Sequence, residues 1–163
     1  ADMVLIRGGR AEAGRPASRS ARLHEAIYAA HPELNAIIVA HPPAMMAFAV
    51  THHPFDSRVI PESYILLRDI RQLPYGVSYA DYDTVVRAIH PATPNLIVQN
   101  EALFVTGGSL LQAFDRLEVA EYTAESILSA RDLGPVVAIG DDEIADLDRA
   151  FGLPRRDGNS HRS

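Results

Sequence analysis

Two apolar segments followed by a long helical pattern constrain the fold of this chain more than any other feature. Residues 95–100 and 102–106 have the composition of buried strands, and Glu101 separates them. A glycine pair at 107–108 ends the second strand, and a helical pattern of apolar residues then runs from Leu110 to about residue 131. This order of strand, strand and helix indicates a domain in which helices pack on a sheet.

Strand and helix patterns alternate along the rest of the chain. The apolar run at residues 36–40 is typical of a strand that is covered on both faces, and the stripe at residues 23–30 predicts a helix before it. Because the connections are too short for a fully parallel sheet, we predict a three-layer α/β/α domain with a mixed, mainly antiparallel central sheet. Further strands are predicted at residues 3–6 and 64–67 and in a segment that ends at 73–76, and further helices at 43–50, 81–90 and 141–151.

The length of the chain fits one domain. A chain of 163 residues can bury a hydrophobic core without disulfides or structural metals, and the sequence contains no repeat and no internal linker. We therefore assign residues 1–153 to one domain, and we predict that the polar tail at residues 154–163 is disordered.

Two absences from the composition exclude whole mechanisms. The chain has no cysteine, so it can form no disulfide, no thiolate zinc site and no cysteine nucleophile. All 15 Lys and Arg residues are arginine, and without a lysine amine this chain cannot carry out Schiff-base aldol chemistry. Any carbon–carbon bond chemistry would therefore need another electron sink, in practice a divalent metal ion.

Charge and hydropathy argue against two classes of partner. The formal net charge is −6, which disfavours a protein that binds nucleic acid through phosphate contacts. No apolar run reaches the roughly 18–20 residues of a membrane span, so we expect no membrane partner. Residues 1–15 lack the charged and apolar regions of a signal peptide, which predicts a cytoplasmic protein.

His41 follows the buried strand at residues 36–40 and stands directly before Pro42-Pro43, where a helix is predicted to begin. Together with the stretch from Pro94 to Glu125, this segment resembles the class II aldolase/adducin family, and the resemblance extends from Met3 to Phe151. It implies the class II aldolase-like fold and a homo-oligomer, a tetramer with sites at its subunit boundaries. It also implies a catalytic divalent metal and a small sugar or sugar phosphate as substrate.

Most of the family's metal-binding positions carry other residues in this chain. The family strand ends in His-x-His-Pro, and both histidines bind the metal; here the first is Val39 and only His41 remains. The third metal histidine of the family lies in Asn-His-Gly, where this chain has Asn100-Glu101-Ala102. The catalytic glutamate of the family ends Pro-Ser-Ser-Glu, and its position is taken by Ser20, or by Arg19 if the register shifts by one. The resemblance thus implies a degraded metal site.

Two hypotheses concern what replaces this metal site. His41 and Glu101 offer one imidazole and one carboxylate, which together would hold at most a weakly bound, water-rich divalent ion such as zinc or manganese. Alternatively, Glu101 pairs with Arg19, and a guanidinium group fills the position that the metal has left. Beyond that weak ion we expect no cofactor.

The resemblance also implies residues for substrate binding. Ser18 matches one of the two serines with which the family binds phosphate, and Arg19 and Ser20 adjoin it. Asn100 lies beside Glu101 and is predicted to contact the same substrate. The Gly-Asn-rich phosphate loop of the family has no counterpart here, which predicts that the chain is a fragment of a longer polypeptide or that another chain supplies the missing strands.

The predicted catalytic residues are Tyr64 and Glu101. Tyr64 falls near a family tyrosine that reaches into a neighbouring subunit's site as a proton donor, although its spacing from Pro61 differs by about one residue. Glu101 stands at a metal-ligand position and could move a proton as a carboxylate. The other reading of Tyr64 is a core or interface side chain.

Three functions are therefore open at the level of sequence. The first is a class II aldolase-like domain with a degraded metal site, which acts as a non-catalytic ligand-binding or assembly module. The second is an active, divalent-metal-dependent aldolase or epimerase that acts on a small phosphorylated sugar. The third is a structural subunit whose partner supplies the missing strands and the active residues.

Overall fold

The computed structural model describes residues 3–153 of the chain. Within this range there are six strands: β1 (Ile6–Arg7), β2 (Arg10–Ala11), β3 (Ala36–Ala40), β4 (Ile70–Leu73), β5 (Asn95–Val98) and β6 (Ala102–Gly107). The same residues form seven α-helices: α1 (Ala21–Ala30), α2 (Pro43–Ala49), α3 (Pro61–Leu67), α4 (Val77–Ala80), α5 (Tyr82–Ala88), α6 (Leu110–Ala130) and α7 (Asp141–Phe151). A short 3₁₀ helix, Ser57–Val59, precedes α3.

Four of the strands form the central sheet, in the order β3-β6-β5-β4. β6 runs antiparallel to both β3 and β5, whereas β4 runs parallel to β5. The sheet is therefore mixed and mainly antiparallel, which confirms the prediction. β1 and β2 form a separate antiparallel hairpin whose turn places Gly8 and Gly9 at φ 53° and 75°, a backbone region that glycine enters without steric strain.

Helices cover both faces of the central sheet, because its side chains alternate between two apolar cores. On one face, Leu96 and Val98 of β5 pack with Leu23 and Ile27 of α1 and with residues of α5. On the other face, Ile97 packs with residues of α2, α3 and α6. Each Leu, Ile or Val side chain that leaves water in this way stabilises the fold by roughly 1.5–3 kcal/mol. The three-layer α/β/α prediction is confirmed.

Small residues allow helix α6 to lie close to the sheet. Ala113, Ala120 and Ala124 are fully buried, and a Cβ atom on Gly107 would lie 2.8 Å from the backbone nitrogen of Ala113. Any side chain at the end of β6 would therefore push the start of α6 away from the sheet. None of the helices in residues 3–153 is long and apolar enough to cross a membrane.

The predicted strand at residues 64–67 is wrong, because these residues belong to α3. Pro61 opens that helix, where its missing N–H costs no hydrogen bond. Ser63, Tyr64 and Leu67 are buried, and their spacing places them on one face of a helix. An unbroken apolar run of four residues carries too little periodicity to distinguish a strand from a helix.

The other elements agree with their predictions to within a few residues, with two exceptions. The strand predicted at residues 3–6 is shorter and shifted, since β1 covers only Ile6–Arg7. The short helix α4 was not predicted; it begins after Gly76, whose φ of 91° turns the chain out of β4. The tail at residues 154–163, for which disorder is predicted, lies outside the described residues.

Candidate functional site

One end of the central sheet holds three of the polar residues that the resemblance singles out, namely His41, Asn100 and Glu101. Ala40 of β3 pairs with Leu103 of β6 in the antiparallel register, so His41 lies level with the turn between β5 and β6. β4 runs parallel to β5, and the loop that follows β4 therefore reaches the same end. We define the polar end as His41, residues 99–101 and residues 74–80.

Glu101 lies in the turn between β5 and β6 at the polar end. Asn100 before it has φ 55°, a left-handed conformation that Asn adopts more easily than most residues, and its backbone N–H donates to the Ala49 carbonyl oxygen at 2.9 Å. The Glu101 oxygen Oε1 accepts a hydrogen bond from the Ser78 hydroxyl. Its other oxygen, Oε2, is buried and has no hydrogen-bond partner within residues 3–153. The carboxylate is therefore only half satisfied.

The donors at the polar end do not fit a tightly bound metal ion. His41 is exposed, whereas Val39 packs into the apolar core beside α1 and offers no lone pair. In the described part of the chain, no three His, Asp or Glu side chains lie close enough together to hold a metal ion. A structural or catalytic zinc site needs three or four converging protein ligands, and His41 with Glu101 supplies two at most.

A carboxylate from α6 caps the helix that begins beside His41. The two carboxylate oxygens of Glu121 accept hydrogen bonds from the backbone N–H groups of Ala44 and Met45, at 2.8 and 2.9 Å. These amides lie in the first turn of α2, where no carbonyl group of the helix can accept from them. Because both oxygens are engaged, Glu121 stabilises α2 and does not add a metal ligand to His41.

A second polar region, the α1 cavity, lies between β1, the loop before α1 and α1 itself. Its volume is about 860 Å³. The hydroxyl oxygens of Ser18 and Ser20 are 2.9 Å apart, so the structure brings together two of the predicted substrate-binding residues. The polar side chains that line this cavity are Arg15, Ser18, Ser20, His24, Glu25 and Tyr28.

His24 lines the α1 cavity with an imidazole nitrogen that lacks a partner. Its Nε2 atom is buried and makes no hydrogen bond to any group in residues 3–153. Burial lowers the pKa of the His24 imidazole below its ordinary value of 6.5, because the charged ring would lose its hydration. His24 is therefore neutral at neutral pH, and its buried Nε2 is one of the few polar atoms of the described chain whose hydrogen-bonding capacity is unused.

The predicted ion pair between Arg19 and Glu101 is not formed. The Arg19 side chain is exposed, no ion pair joins it to an acidic residue of the described chain, and it does not line the α1 cavity. The Glu101 carboxylate accepts from Ser78 instead. Arg19 precedes the first turn of α1 and stays hydrated, as a long cationic side chain does unless a partner offsets its burial.

Tyr64 lies in α3, on the face of the sheet opposite to α1. It is fully buried, and its hydroxyl donates to the Asp148 oxygen Oδ1 of α7 at 2.7 Å. The guanidinium carbon of Arg68 lies 4.7 Å from the centre of the Tyr64 ring. Burial, and then the hydrogen bond to Asp148, raise the pKa of the Tyr64 hydroxyl above its usual value. The catalytic role of Tyr64 stays a prediction. Within the described residues its hydroxyl links α3 to α7 through Asp148.

The sequence also matches a known family directly. The sequence model of the class II aldolase and adducin N-terminal domain matches residues 1–128. The chain belongs to this family. That membership confirms the resemblance deduced from His41-Pro-Pro and from the strand pair around Glu101. α7 and the segment before it lie beyond the matched residues of this aldolase-like domain.

Solved structures agree with the aldolase-like fold. YgbL from Klebsiella pneumoniae, provisionally assigned as an aldolase, epimerase or decarboxylase, is 24% identical, with a TM-score of 0.72 over 85% of this chain and 69% of that protein. An L-fuculose 1-phosphate aldolase is 22% identical, with a TM-score of 0.71 over 89% of this chain and 69% of that enzyme. A sugar-phosphate aldolase from Thermotoga maritima is 20% identical, with a TM-score of 0.64 over 77% and 58%. At these identities the likeness is one of fold. No curated protein sequence matches the chain.

Several residues that make long-range polar contacts, at the polar end, at the start of α2 and beside Tyr64, were not found from the sequence. Ser78 is 23 positions from Glu101, Glu121 is 77 positions from Ala44, and Asp148 is 80 positions from Arg68. Such hydrogen bonds depend on how helices and strands pack together, so a local sequence pattern cannot predict them. The one local signal was Gly76, a turn residue placed two positions before Ser78.

Proposed function

We propose that this chain is a class II aldolase-like domain with a degraded metal site, and that it acts as a non-catalytic ligand-binding or assembly module. The donor set at the polar end carries the proposal: His41 is joined there by a single carboxylate, that of Glu101, which also accepts from Ser78. Val39 replaces a ligand by an apolar side chain. Two donors leave most of the coordination shell of a divalent ion to water, so binding of a metal is weak.

The α1 cavity supports a ligand-binding role. Its volume of about 860 Å³ is large enough for a small sugar phosphate. Ser18 and Ser20 offer two hydroxyls, and Arg15 offers a cation for a phosphate group. We propose a small sugar or sugar phosphate as ligand, with Ser18 and Ser20 at its phosphate.

An exposed apolar surface on α6 supports a role in assembly. Leu110, Leu111 and Phe114 are 69%, 69% and 46% exposed, and they lie within two turns of one helix. Apolar surface of this kind is more typical of a protein interface than of a free helix face. We propose that the chain forms a homo-oligomer, a tetramer as in its family.

The second candidate is an active metal-dependent aldolase or epimerase. Its support is the buried Oε2 atom of Glu101, which has no hydrogen-bond partner in residues 3–153 and lies at the level of the exposed His41. An anionic oxygen in that position is stabilised by a cation, and a water-rich zinc or manganese ion is one such cation. Because two donors do not complete a metal site, we derive no catalytic step through the metal.

One binding and activity experiment separates the two candidates. L-Fuculose 1-phosphate is titrated calorimetrically into the protein in the presence of EDTA, and its cleavage is then assayed with added Zn²⁺ or Mn²⁺. The first candidate predicts binding without cleavage, lost in Ser18→Ala and retained in the control Ser126→Ala, whose hydroxyl bonds to the Tyr122 carbonyl of α6. Metal-dependent cleavage that is lost in His41→Ala would establish the second candidate.

A further inference from the structure

Arg68 combines a buried charge with an unusual backbone conformation. Its side chain is 2% exposed. Its backbone has φ 57° and ψ −141°, a combination that residues other than glycine rarely adopt. Buried hydrogen bonds hold the backbone there: the Ser57 hydroxyl donates to the Arg68 carbonyl oxygen at 2.7 Å, and the Asn95 amide donates to the Leu67 carbonyl oxygen at 3.1 Å. The surrounding fold therefore fixes where this guanidinium points.

The Arg68 guanidinium and the Tyr64 hydroxyl converge on one carboxylate oxygen. Arg68 Nη1 donates to Asp148 Oδ1 at 3.1 Å, and the Tyr64 hydroxyl donates to the same atom at 2.7 Å. The guanidinium also stacks over the Tyr64 ring, 4.7 Å from its centre. A planar cation held by an aromatic face, with a hydroxyl donor beside it, is an arrangement that recognises carboxylates.

Helix α7, which supplies Asp148, has few other attachments within residues 3–153. In α7 only Ile144 is buried. The pair between Arg58 and Asp141 spans 3.5 Å, but the Asp141 side chain is 97% exposed, so water screens it. One backbone bond, from the Ile139 N–H to the Arg58 carbonyl oxygen at 2.8 Å, fixes the chain before the helix. An element with so little buried apolar surface opens at a lower free-energy cost than the strands of the central sheet.

We propose that Tyr64 and Arg68 form a carboxylate-binding socket that Asp148 fills from within the chain, and that α7 is a displaceable latch on that socket. A small organic carboxylate then competes with Asp148, and its binding releases α7. The coupling is reciprocal: whatever holds α7 in place weakens the binding of the carboxylate by the same factor. This proposal does not depend on the function proposed for the polar end, because no residue is shared between them.

Chemical rescue tests the socket. Asp148→Ala removes the internal carboxylate and leaves space for an added one, whereas Asp146→Ala removes a neighbouring carboxylate of α7 that pairs with Arg149 and not with the socket. The melting temperature of each variant is measured in sodium acetate up to about 100 mM against sodium chloride of equal ionic strength. We expect acetate to raise the melting temperature of Asp148→Ala by several degrees more than that of Asp146→Ala. Equal responses of the two variants overturn the socket.

Hydrogen exchange of the unmodified chain tests the latch, and it decides the case if Asp148→Ala does not fold. We expect the amides of α7 to exchange at least about tenfold faster than those of β5 and β6, and acetate to accelerate exchange in α7 relative to chloride while leaving β5 and β6 unchanged. Exchange in α7 at the rate of β5 and β6 overturns the latch. Fast exchange that acetate does not alter overturns the competition between the carboxylate and Asp148.

Discussion

The polar end and the Tyr64–Arg68 socket differ in how far their polar side chains are buried and hydrogen-bonded. At the polar end, His41 is exposed and one oxygen of Glu101 is buried without a partner in the described residues. In the socket, Arg68 is almost wholly buried and its guanidinium and the Tyr64 hydroxyl share one oxygen of Asp148. The positions that bind metal in the family thus hold polar groups with few hydrogen bonds. The polar groups with several hydrogen-bond partners lie in the socket, which has no catalytic role in our proposal. Family position alone is a poor guide to where this fold fixes its polar side chains.

The largest effect expected from this contrast is on stability. Asp148→Asn removes a charge that pairs with the buried Arg68 guanidinium, and we expect the loss of this buried ion pair to lower the free energy of unfolding by about 3 kcal/mol. His41→Ala, at an exposed position, changes it by less than about 0.5 kcal/mol. Urea unfolding of both variants measures the difference. Similar values for the two would mean that the socket is no better connected than the polar end.

The carboxylate of Glu121 gives the next largest effect. Glu121→Gln weakens two hydrogen bonds to the first amides of α2, and we expect a loss of about 1.5 kcal/mol, since hydrogen bonds to a charged group are the stronger kind. Glu125→Gln, at an exposed position one turn further along α6, serves as the control. Urea unfolding reports both, and a loss in Glu125→Gln as large as in Glu121→Gln would remove the capping explanation.

Two tyrosine-to-phenylalanine substitutions sharpen the comparison, because each removes one hydroxyl from one of the two regions. Tyr64→Phe removes the donor to Asp148 and is expected to lower the free energy of unfolding by about 1 kcal/mol. Tyr79→Phe, in the exposed part of the polar end, is expected to leave it within about 0.5 kcal/mol of the original. Thermal and urea unfolding are the measurements, and the reverse order of effects would contradict the contrast.

His24 adds a pH dependence to the α1 cavity. Its pKa is lowered by burial in the folded chain, so below pH 6.5 the unfolded chain binds this proton more readily than the folded one does. Stability is then lost as the pH falls from 6.5 to the folded pKa, and fully present above 6.5. We expect His24→Asn to flatten this part of the curve of unfolding free energy against pH, measured by urea unfolding at a series of pH values. An unaltered curve in His24→Asn would contradict the assignment of this pH dependence to His24.

The smallest effect is expected at Glu101. Glu101→Gln keeps an acceptor for the Ser78 hydroxyl and removes the charge from the buried atom that lacks a partner. We expect the free energy of unfolding to change by less than about 0.5 kcal/mol. A loss of more than about 2 kcal/mol, measured by urea unfolding, would show that the Glu101 carboxylate has a charged partner and would weaken the case for a degraded site.

Most of the fold could be predicted from the sequence, but little of the candidate site could. The strand pair around Glu101, the helix α6 and the Pro-Pro start of α2 are local patterns, and each was confirmed. The helix α3 was predicted as a strand because an apolar run at residues 64–67 has no readable period. The partners of Glu101 and Arg68 lie 23 and 80 positions away, so only the packed structure could identify them.

A metal titration tests the central claim most directly. The chain is freed of metal with EDTA, and Zn²⁺ and Mn²⁺ are titrated into it and into His41→Ala by calorimetry. A donor set of one imidazole and one carboxylate predicts weak binding of the metal, with Kd values of about 0.1 mM or above. His41→Ala removes the imidazole and is expected to weaken this binding further. One equivalent of zinc bound with a Kd below about 1 µM and lost in His41→Ala would contradict a degraded site.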